Sequence, residues 1–212
     1  MLYLKSFTFN PFQQNTYLVY DDEGTAYLID AGNSTATEHE ELQKFILDKK
    51  LNLKRFLLTH AHIDHILGAR LIFDTYGLLP EMHEKEIFFI DRMAQSGAMY
   101  GINVDQAPMP EKFIKEADKI LLGKYEFDCL FTPGHSPGSI SFYNKENKLL
   151  LGGDVLFRGS IGRSDLPLGD HVTLIKSIKE QLLVLPDDVK VYSGHGPSTT
   201  IGFEKQNNPF LV

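Results

Sequence analysis

Cysteine is almost absent from this sequence, because Cys129 is the only one among 212 residues. A lone cysteine excludes an internal disulfide, and it also excludes a zinc site built from several thiolates. Cys129 lies between apolar residues in "FDCLF", which is typical of a small buried hydrophobic residue. We therefore expect neither a disulfide nor a thiolate-rich metal site.

Long hydrophobic runs and an excess of positive charge are also missing. No apolar stretch approaches the roughly 18 residues that a membrane-spanning helix needs, and the N-terminal "MLYLKSFTFN" lacks the features of a signal peptide. The formal net charge is −7, which disfavours contact with phosphate backbones and anionic lipid headgroups. These absences predict a cytoplasmic protein that binds neither nucleic acid nor membranes.

The residues that are present predict one α/β domain over residues 1–212, in which strands outnumber helices. Short runs rich in β-branched and aromatic residues alternate with stretches of helical spacing. Thr35 and Glu38 form a capping-box pattern at the start of a helix predicted over residues 35–50. Residues 96–110 contain glycine and proline without periodicity, which predicts a loop. The other predicted helices span residues 65–76, 84–94 and 170–185, and the predicted strands are "YLKSFTF", "NTYLVY", "TAYLID", "LKRFLLT", "EMH", "KYEFDCLFT", "ISFYN", "KLLLGGD" and "VKVYSG".

Histidine and aspartate residues follow four of the predicted strands, at the points where the strands end. Strand ends at one edge of a sheet can direct side chains toward a common point. Imidazoles and carboxylates without thiolates suit zinc, iron or manganese, and seven of them exceed the three or four protein ligands of one catalytic zinc. We therefore predict two divalent metal ions that share a bridging carboxylate, with zinc expected and iron or manganese as alternatives. The predicted ligands are His60, His62, Asp64, His65, His135, Asp154 and His195.

The same segments resemble the motifs of the metallo-β-lactamase superfamily. "THAHIDH" matches the T-H-x-H-x-D-H signature, and "TPGHSPGS", "LGGDVLF" and "SGHGP" follow in the family's order. The resemblance covers nearly the whole chain and implies a four-layer αββα sandwich, with the metal site at one edge of the two sheets. It implies a catalytic role for Asp64, which would orient the nucleophilic water. The implied ligand sets are His60, His62 and His135 for one ion, Asp64, His65 and His195 for the second, and Asp154 as the bridge.

Within the superfamily, the sequence is most similar to the glyoxalase II group, which hydrolyses thioesters of glutathione. The segments "NPFQQNTYLV", "LFRGSIGRSDLP" and "GHGPSTTIGFEKQNNPFL" are similar to short, single-domain bacterial members. This likeness implies cleavage of S-2-hydroxyacylglutathiones, such as S-lactoylglutathione, by a metal-bridging hydroxide. The sequence continues for 17 residues after His195, so we expect it to lack the C-terminal helical region with which longer members contact glutathione.

The sequence is also compatible with two other functions. Persulfide dioxygenases share the signature and a similar stretch after Asp154, but they resemble a one-iron version of the site that uses two histidines and an aspartate. A mononuclear iron dioxygenase acting on glutathione persulfide is therefore the alternative. A non-catalytic binding domain on the same fold is a third interpretation, although degenerate members usually lose ligands and all seven are present here. Lactamases of this fold are usually exported, and the expected absence of a signal peptide disfavours that activity.

Three residues outside the ligand set are candidates for substrate binding. Arg158 and Arg163 follow the predicted bridging aspartate in a glycine-rich stretch, and a guanidinium group suits a substrate carboxylate. The alternative for Arg163 is a surface salt bridge with Asp165. Tyr100 lies in the predicted loop of residues 96–110, which could form a wall over the metals.

Three histidines fall outside the predicted ligand set as well. His83 follows Met82 in a short apolar stretch, and we expect it to be structural. His39 lies on the polar face of the first predicted helix, and His171 lies in the first turn of a later one. We expect both of these side chains to be solvated.

Overall fold

The computed structural model describes all 212 residues, and the chain divides into two compact units, Met1–Phe113 and Ile114–Val212. Each unit is built on one six-stranded mixed β-sheet. No helix of the structure is both long enough and apolar enough to cross a membrane. The single domain over residues 1–212 stays a prediction.

The sheet of the N-terminal unit has an antiparallel half and a parallel half. Its first three strands pair antiparallel through hairpins, whereas the third to sixth strands pair parallel. Parallel neighbours need crossover connections, and the helices of this unit supply them. The carboxyl ends of the parallel strands therefore share one edge of the sheet. In their order across the sheet, the strands are β1 (Leu2–Phe9), β2 (Gln14–Asp21), β3 (Thr25–Ile29), β4 (Asn52–Leu57), β5 (Pro80–Met82) and β6 (Lys112–Phe113).

Five α-helices lie in the crossovers of this unit. The hydroxyl of Thr35 accepts the N–H of Glu38, and the carboxylate of Glu38 accepts the N–H of Thr35. The predicted capping box is thus confirmed. The helix predicted over residues 65–76 is divided into two short helices, the second of which ends at Gly77 as its glycine suggests. The helices are α1 (Ala36–Asp48), α2 (Ile63–Ile66), α3 (Ala69–Tyr76), α4 (Ile87–Asp91) and α5 (Met93–Tyr100), and Glu84–Glu86 forms a 3₁₀ turn before α4.

The loop predicted over residues 96–110 is wrong in its first part, because α5 continues to Tyr100. Gly97 suits this helix because the chain returns very close to it. A Cβ atom at Gly97 would lie 2.7 Å from the carbonyl oxygen of Ile102 and 2.9 Å from Cγ1 of Val104. Tertiary packing therefore outweighs the weak helix propensity of this stretch.

His39 is buried, so the prediction that it is solvated was wrong. Its Nδ1 lies 3.0 Å from Nδ2 of Asn33, and its Nε2 lies 3.0 Å from Oγ1 of Thr75. These two partners, which helical periodicity alone does not indicate, offset the loss of water around the ring. Burial lowers the pKa of His39. His171 is exposed, as predicted, whereas buried His83 caps the 3₁₀ turn.

The sheet of the C-terminal unit is antiparallel except where β10 (Leu149–Gly153) pairs with β13 (Lys190–Ser193). These two strands and β8 (Tyr125–Phe131) therefore run in the same direction, and their carboxyl ends share one edge. Strand β7 (Lys119–Leu122) was not predicted. It is joined to β8 by a tight turn that contains Gly123, which has a positive φ of 55°. In their order across the sheet, the strands are β14 (Thr199–Thr200), β13 (Lys190–Ser193), β10 (Leu149–Gly153), β9 (Ile140–Asn144), β8 (Tyr125–Phe131) and β7 (Lys119–Leu122), and β11 (Leu156–Phe157) with β12 (Ser160–Ile161) forms a separate hairpin.

Two helices complete the C-terminal unit. The helix predicted from residue 170 is present as α6 (His171–Ser177), which continues into a π-helical turn over Ile178–Leu182. Asp170 caps it, as predicted, by accepting the N–H of Thr173 at 2.7 Å. The last helix, α7 (Ile201–Asn207), was not predicted.

Each unit has its own hydrophobic core. In both units, apolar side chains from central strands pack against one face of the helices. Cys129 is buried, as predicted. The fully buried members include Leu28, Leu42, Phe56 and Ile72 in the N-terminal unit and Leu150, Leu174, Ile178 and Val191 in the C-terminal unit. These cores hold the strands whose ends carry the predicted ligands.

Candidate metal centre

Four of the predicted ligands follow β4 in the N-terminal unit. The strand is buried at its carboxyl end, and the chain stays buried up to the start of α2. His62 has extended backbone angles and directly precedes α2, so the chain turns sharply at this point. The ring centroids of His60 and His62 are 4.8 Å apart, and those of His60 and His65 are 4.0 Å apart. One strand end thus clusters three imidazoles.

Asp30 supports this cluster from the end of the neighbouring strand β3. Its carboxylate accepts the N–H of Thr59 at 2.8 Å and the hydroxyl of Thr59 at 2.7 Å, and its Oδ2 lies 2.9 Å from Nδ1 of His65. Because a carboxylate accepts hydrogen bonds, Nδ1 of His65 carries the ring proton and the ring lone pair lies on Nε2. This arrangement is the one that orients metal-binding imidazoles in proteins.

The ring of His60 and the backbone of Ala61 are each held by a further group. Oγ1 of Thr59 donates its proton to Asp30 and lies 3.1 Å from Nδ1 of His60, so it can accept the ring proton there. The fully buried carboxylate of Glu86 accepts the N–H of Ala61 at 2.8 Å. The sequence motifs do not indicate Asp30 or Glu86. The one signal for Asp30 is its position at the end of the strand "TAYLID".

Asp64 lies in the first turn of α2, and its carboxylate is partly exposed. Its Oδ2 is 3.7 Å from Nε2 of His65, which is too long for a hydrogen bond. Two ligands of one tetrahedral zinc ion lie about 3.4 Å apart, given bond lengths of about 2.0–2.2 Å. The pair is therefore spaced for a shared ion. Nδ2 of Asn10 donates to the backbone carbonyl of Asp64 at 2.9 Å and thereby fixes the chain at this residue.

The other three predicted ligands follow β8, β10 and β13 in the C-terminal unit. Oδ2 of Asp154 is 3.5 Å from Nε2 of His135 and 3.5 Å from Nε2 of His195. Both distances exceed a hydrogen bond and match the separation of two ligands on one ion. A carboxylate at ligand distance from two imidazoles is suited to bridge two metal ions.

Close backbone packing supports these ligands. Nδ1 of His135 lies 2.7 Å from the carbonyl oxygen of Arg163, so the ring proton is on Nδ1 and the lone pair is on Nε2. A Cβ atom at Gly162 would lie only 1.9 Å from the carbonyl oxygen of Asp154. Glycine is therefore required where the chain passes back over Asp154.

The chemistry of the donor set fits a divalent metal ion. All seven predicted ligands belong to groups of histidine and aspartate side chains that could hold one. Five of the seven are buried, and Asp64 and His195 are partly buried. Buried imidazoles with the proton on Nδ1, beside carboxylates and without thiolates, suit zinc, iron or manganese better than calcium or magnesium.

The predicted substrate-binding residues have other contacts in the structure. Arg163 forms the salt bridge that was its alternative, because its Nε and Nη2 each donate to the carboxylate of Asp165 at 2.8 Å. This pairing lowers the pKa of Asp165 to about 2. The guanidinium carbon of Arg158 lies 5.1 Å from the ring centroid of Phe203. Tyr100 is exposed at the end of α5. Substrate binding by these residues stays a prediction.

Comparison with known proteins gives matches along most of the chain. A family model described as the metallo-beta-lactamase superfamily matches residues 9–195. The chain is 42% identical over 202 residues to hydroxyacylglutathione hydrolase GloC of Haemophilus influenzae, and the match covers 94% of this chain and 93% of that protein.

Two solved structures are similar over almost the entire chain. BLEG-1 B3 metallo-beta-lactamase has a TM-score of 0.91 at 37% identity, and the match covers 99% of this chain and 100% of that one. TTHA1623 in a di-iron-bound form has a TM-score of 0.88 at 37% identity, with 98% and 100% covered. With the family match, these likenesses confirm the predicted fold class, the αββα sandwich.

Proposed function

The chain belongs to the metallo-β-lactamase superfamily, and we propose that it hydrolyses small thioesters, with S-2-hydroxyacylglutathiones such as S-lactoylglutathione as substrates. The family and the histidine and aspartate groups make it a metal-dependent hydrolase. The identity of 42% to a hydroxyacylglutathione hydrolase supports the thioester as the bond that is cleaved. Its partners are then small molecules, and a cytoplasmic location without nucleic-acid or membrane partners stays a prediction.

We further propose that the seven predicted ligands hold two divalent ions. The observation that carries this proposal is Oδ2 of Asp154, which is 3.5 Å from Nε2 of both His135 and His195. Zinc is the expected metal, and iron or manganese suits the same ligands. One similar structure is di-iron-bound. The proposed sets are His60, His62 and His135 for one ion, Asp64, His65 and His195 for the other, and Asp154 between them.

The reaction divides between the ions and the protein's own residues. Bound divalent ions would polarise the thioester carbonyl and lower the pKa of a water molecule to near neutrality. The carboxylate of Asp64, on a backbone fixed by Asn10, accepts a proton of the attacking water and directs its lone pair toward the carbonyl carbon. The water oxygen bonds to the carbonyl carbon, and the carbon–sulfur bond of the resulting tetrahedral intermediate then breaks. The sulfur leaves as a thiolate without a general acid, because a thiol has an ordinary pKa of about 8.5.

The first test is hydrolysis of S-lactoylglutathione, followed by the loss of thioester absorbance. Replacement Asp64→Ala should lower the rate by about 10²–10⁴-fold, the usual contribution of a positioned proton acceptor, while the protein stays folded. Asp74→Ala removes an exposed aspartate of α3 that pairs with Arg70 and should leave the rate unchanged. Unchanged turnover by Asp64→Ala would contradict the role of Asp64. Absence of turnover by the wild type would contradict the proposed substrate.

The likeness to BLEG-1 B3 metallo-beta-lactamase favours β-lactam hydrolysis as a second candidate. A chromogenic cephalosporin, assayed on the same sample, tests it. One iron per chain with oxygen uptake on glutathione persulfide would instead identify the dioxygenase alternative. Metal binding without any of these activities would favour a non-catalytic binding domain.

A further inference from the structure

We propose that Glu204 is a positioning residue for the metal ligands of the C-terminal unit, and that it acts by clamping the β11–β12 hairpin. The proposal rests on the proposed metal-dependent function, because it assigns a task to a residue outside the ligand set. Glu204 lies on α7, fifty positions beyond Asp154 along the sequence. Neither the ligand motifs nor the residues proposed to act on substrate include it.

Glu204 is a fully buried carboxylate whose hydrogen-bond donors are all neutral. Both of its oxygens accept the N–H of Gly159, at 3.0 and 3.2 Å. The hydroxyl of Thr199 donates to Oε1, and Nδ2 of Asn208 donates to Oε2 at 2.7 Å. A buried carboxylate is costly unless its oxygens are satisfied by such donors. This concentration of bonds therefore fixes the carboxylate tightly, and Gly159 with it.

Asn208 adds a second contact between α7 and the hairpin. Its Nδ2 also donates to the carbonyl oxygen of Ser160 at 2.9 Å. The clamp thus holds an N–H and a C=O of adjacent residues at the tip of the hairpin, where Gly159 has a positive φ of 67°. The side chains of Glu204 and Asn208 are both fully buried.

The clamped hairpin adjoins all three ligands of this unit. Asp154 lies two positions before it, and the chain that follows it supplies the carbonyl of Arg163, which fixes His135 through Nδ1 at 2.7 Å. The ring of Phe157 on β11 meets the ring of His195 edge-on, with centroids 6.3 Å apart. Movement of the hairpin would therefore disturb the alignment of each ligand.

A purely structural role for Glu204 makes a different prediction. Glu204 lies in the first turn of α7, where a carboxylate interacts favourably with the helix dipole. That role alone would make its loss lower the stability of the protein without changing metal binding. The helix has its own cap, however, because the hydroxyl of Thr200 accepts the N–H of Phe203 at 3.2 Å.

The test is cobalt binding by metal-free protein in competition with a chelator, with the visible spectrum of the cobalt protein recorded. Glu204→Ala should bind cobalt about 10–100-fold more weakly, as residues that support metal ligands usually do when removed, and should have an altered spectrum. Glu204→Gln should be intermediate, because its one oxygen can still accept the N–H of Gly159. The matched control is Gln206→Ala, on the exposed face of the same helix, which should behave as wild type.

Wild-type affinity and spectrum in Glu204→Ala would overturn the proposal, even if its melting temperature fell. If Glu204→Ala does not fold, the nearly isosteric Glu204→Gln decides by the same two measurements, and wild-type values in it would overturn the proposal. The probe is cobalt alone. A wild type that binds cobalt but cleaves no thioester would therefore refute the proposed substrate and leave the comparison between variants intact.

Discussion

The substitution Asp30→Asn tests whether a carboxylate outside the ligand set controls the metal site through the proton of His65. Asparagine has nearly the same shape and can still accept the N–H of Thr59 with its oxygen. Its NH₂ group would replace Oδ2 of Asp30, which lies 2.9 Å from Nδ1 of His65. This NH₂ group would face both the Thr59 hydroxyl, which can rotate to accept a hydrogen bond, and Nδ1 of His65. Nδ1 of His65 can accept a hydrogen bond from this NH₂ group only if the ring proton moves to Nε2, the nitrogen proposed to bind metal.

The magnitude follows from that one contact. In Asp30→Asn, restoring the metal-binding tautomer breaks the hydrogen bond from the asparagine NH₂ group and leaves two buried donors facing each other, which costs about 1–3 kcal/mol. At about 1.4 kcal/mol per tenfold change, metal affinity should fall by about 10–100-fold, in line with other supporting residues. The free energy of unfolding of metal-free protein should change by only about 1 kcal/mol, because the other hydrogen bonds can be kept.

The assay is zinc titration of metal-free protein against a chromophoric chelator, with urea unfolding of the same samples. Asp21→Asn is the matched control, because Asp21 is also a buried aspartate and accepts the N–H groups of Glu23 and Thr25 in a turn. It should leave zinc affinity unchanged. Equal zinc affinities for Asp30→Asn and Asp21→Asn would refute the reasoning about the tautomer.

Three further substitutions test the packing and the pH dependence. Gly162→Ala should lower the free energy of unfolding in urea by about 1–3 kcal/mol, because its Cβ would lie 1.9 Å from the carbonyl oxygen of Asp154. Gly152→Ala is the control and should lower it less, because its Cβ would have only an ordinary contact at 3.4 Å. Leu174→Ala, at a fully buried position, should cost about 2–5 kcal/mol, and a loss below about 1 kcal/mol would contradict its place in the core. Burial lowers the pKa of His39 in the folded protein below its ordinary value of 6.5. As the pH falls below about 6.5, the unfolded chain therefore takes up a proton before the folded protein does. The free energy of unfolding decreases until the pH has passed the lowered pKa of the folded protein. The stability lost between about pH 7.5 and about pH 5 should be smaller in His39→Gln than in wild type, and equal losses would show that His39 does not titrate as inferred.

The parts of the site that the sequence predicts are those carried by local patterns. Apolar strands that end in histidine or aspartate predict that these side chains lie at one edge of a sheet, and Oδ2 of Asp154 lies 3.5 Å from Nε2 of both His135 and His195. The capping box at Thr35 was predictable for the same reason, because its partners are three residues apart.

The parts that the sequence does not predict depend on contacts between distant residues. Asp30 reaches His65 across 35 positions, and Glu204 reaches Gly159 across 45, so no local spacing connects them. His39 has the periodicity of a solvated residue, but Asn33 and Thr75 supply the hydrogen bonds that allow its burial. The sequence around Gly97 is typical of a loop. Only the close return of the chain at Ile102 and Val104 explains why glycine is needed in this helix.

Metal content and thioester turnover, measured on the same sample, distinguish the proposed dinuclear thioesterase from its alternatives. Metal content of the purified wild-type protein should be determined on the sample that is assayed with S-lactoylglutathione. The proposed ligand sets predict about two metal ions per chain, with turnover that is lost when a chelator removes them and regained when zinc is restored. One iron per chain, with no thioester hydrolysis and with oxygen uptake on glutathione persulfide, would contradict a dinuclear thioesterase.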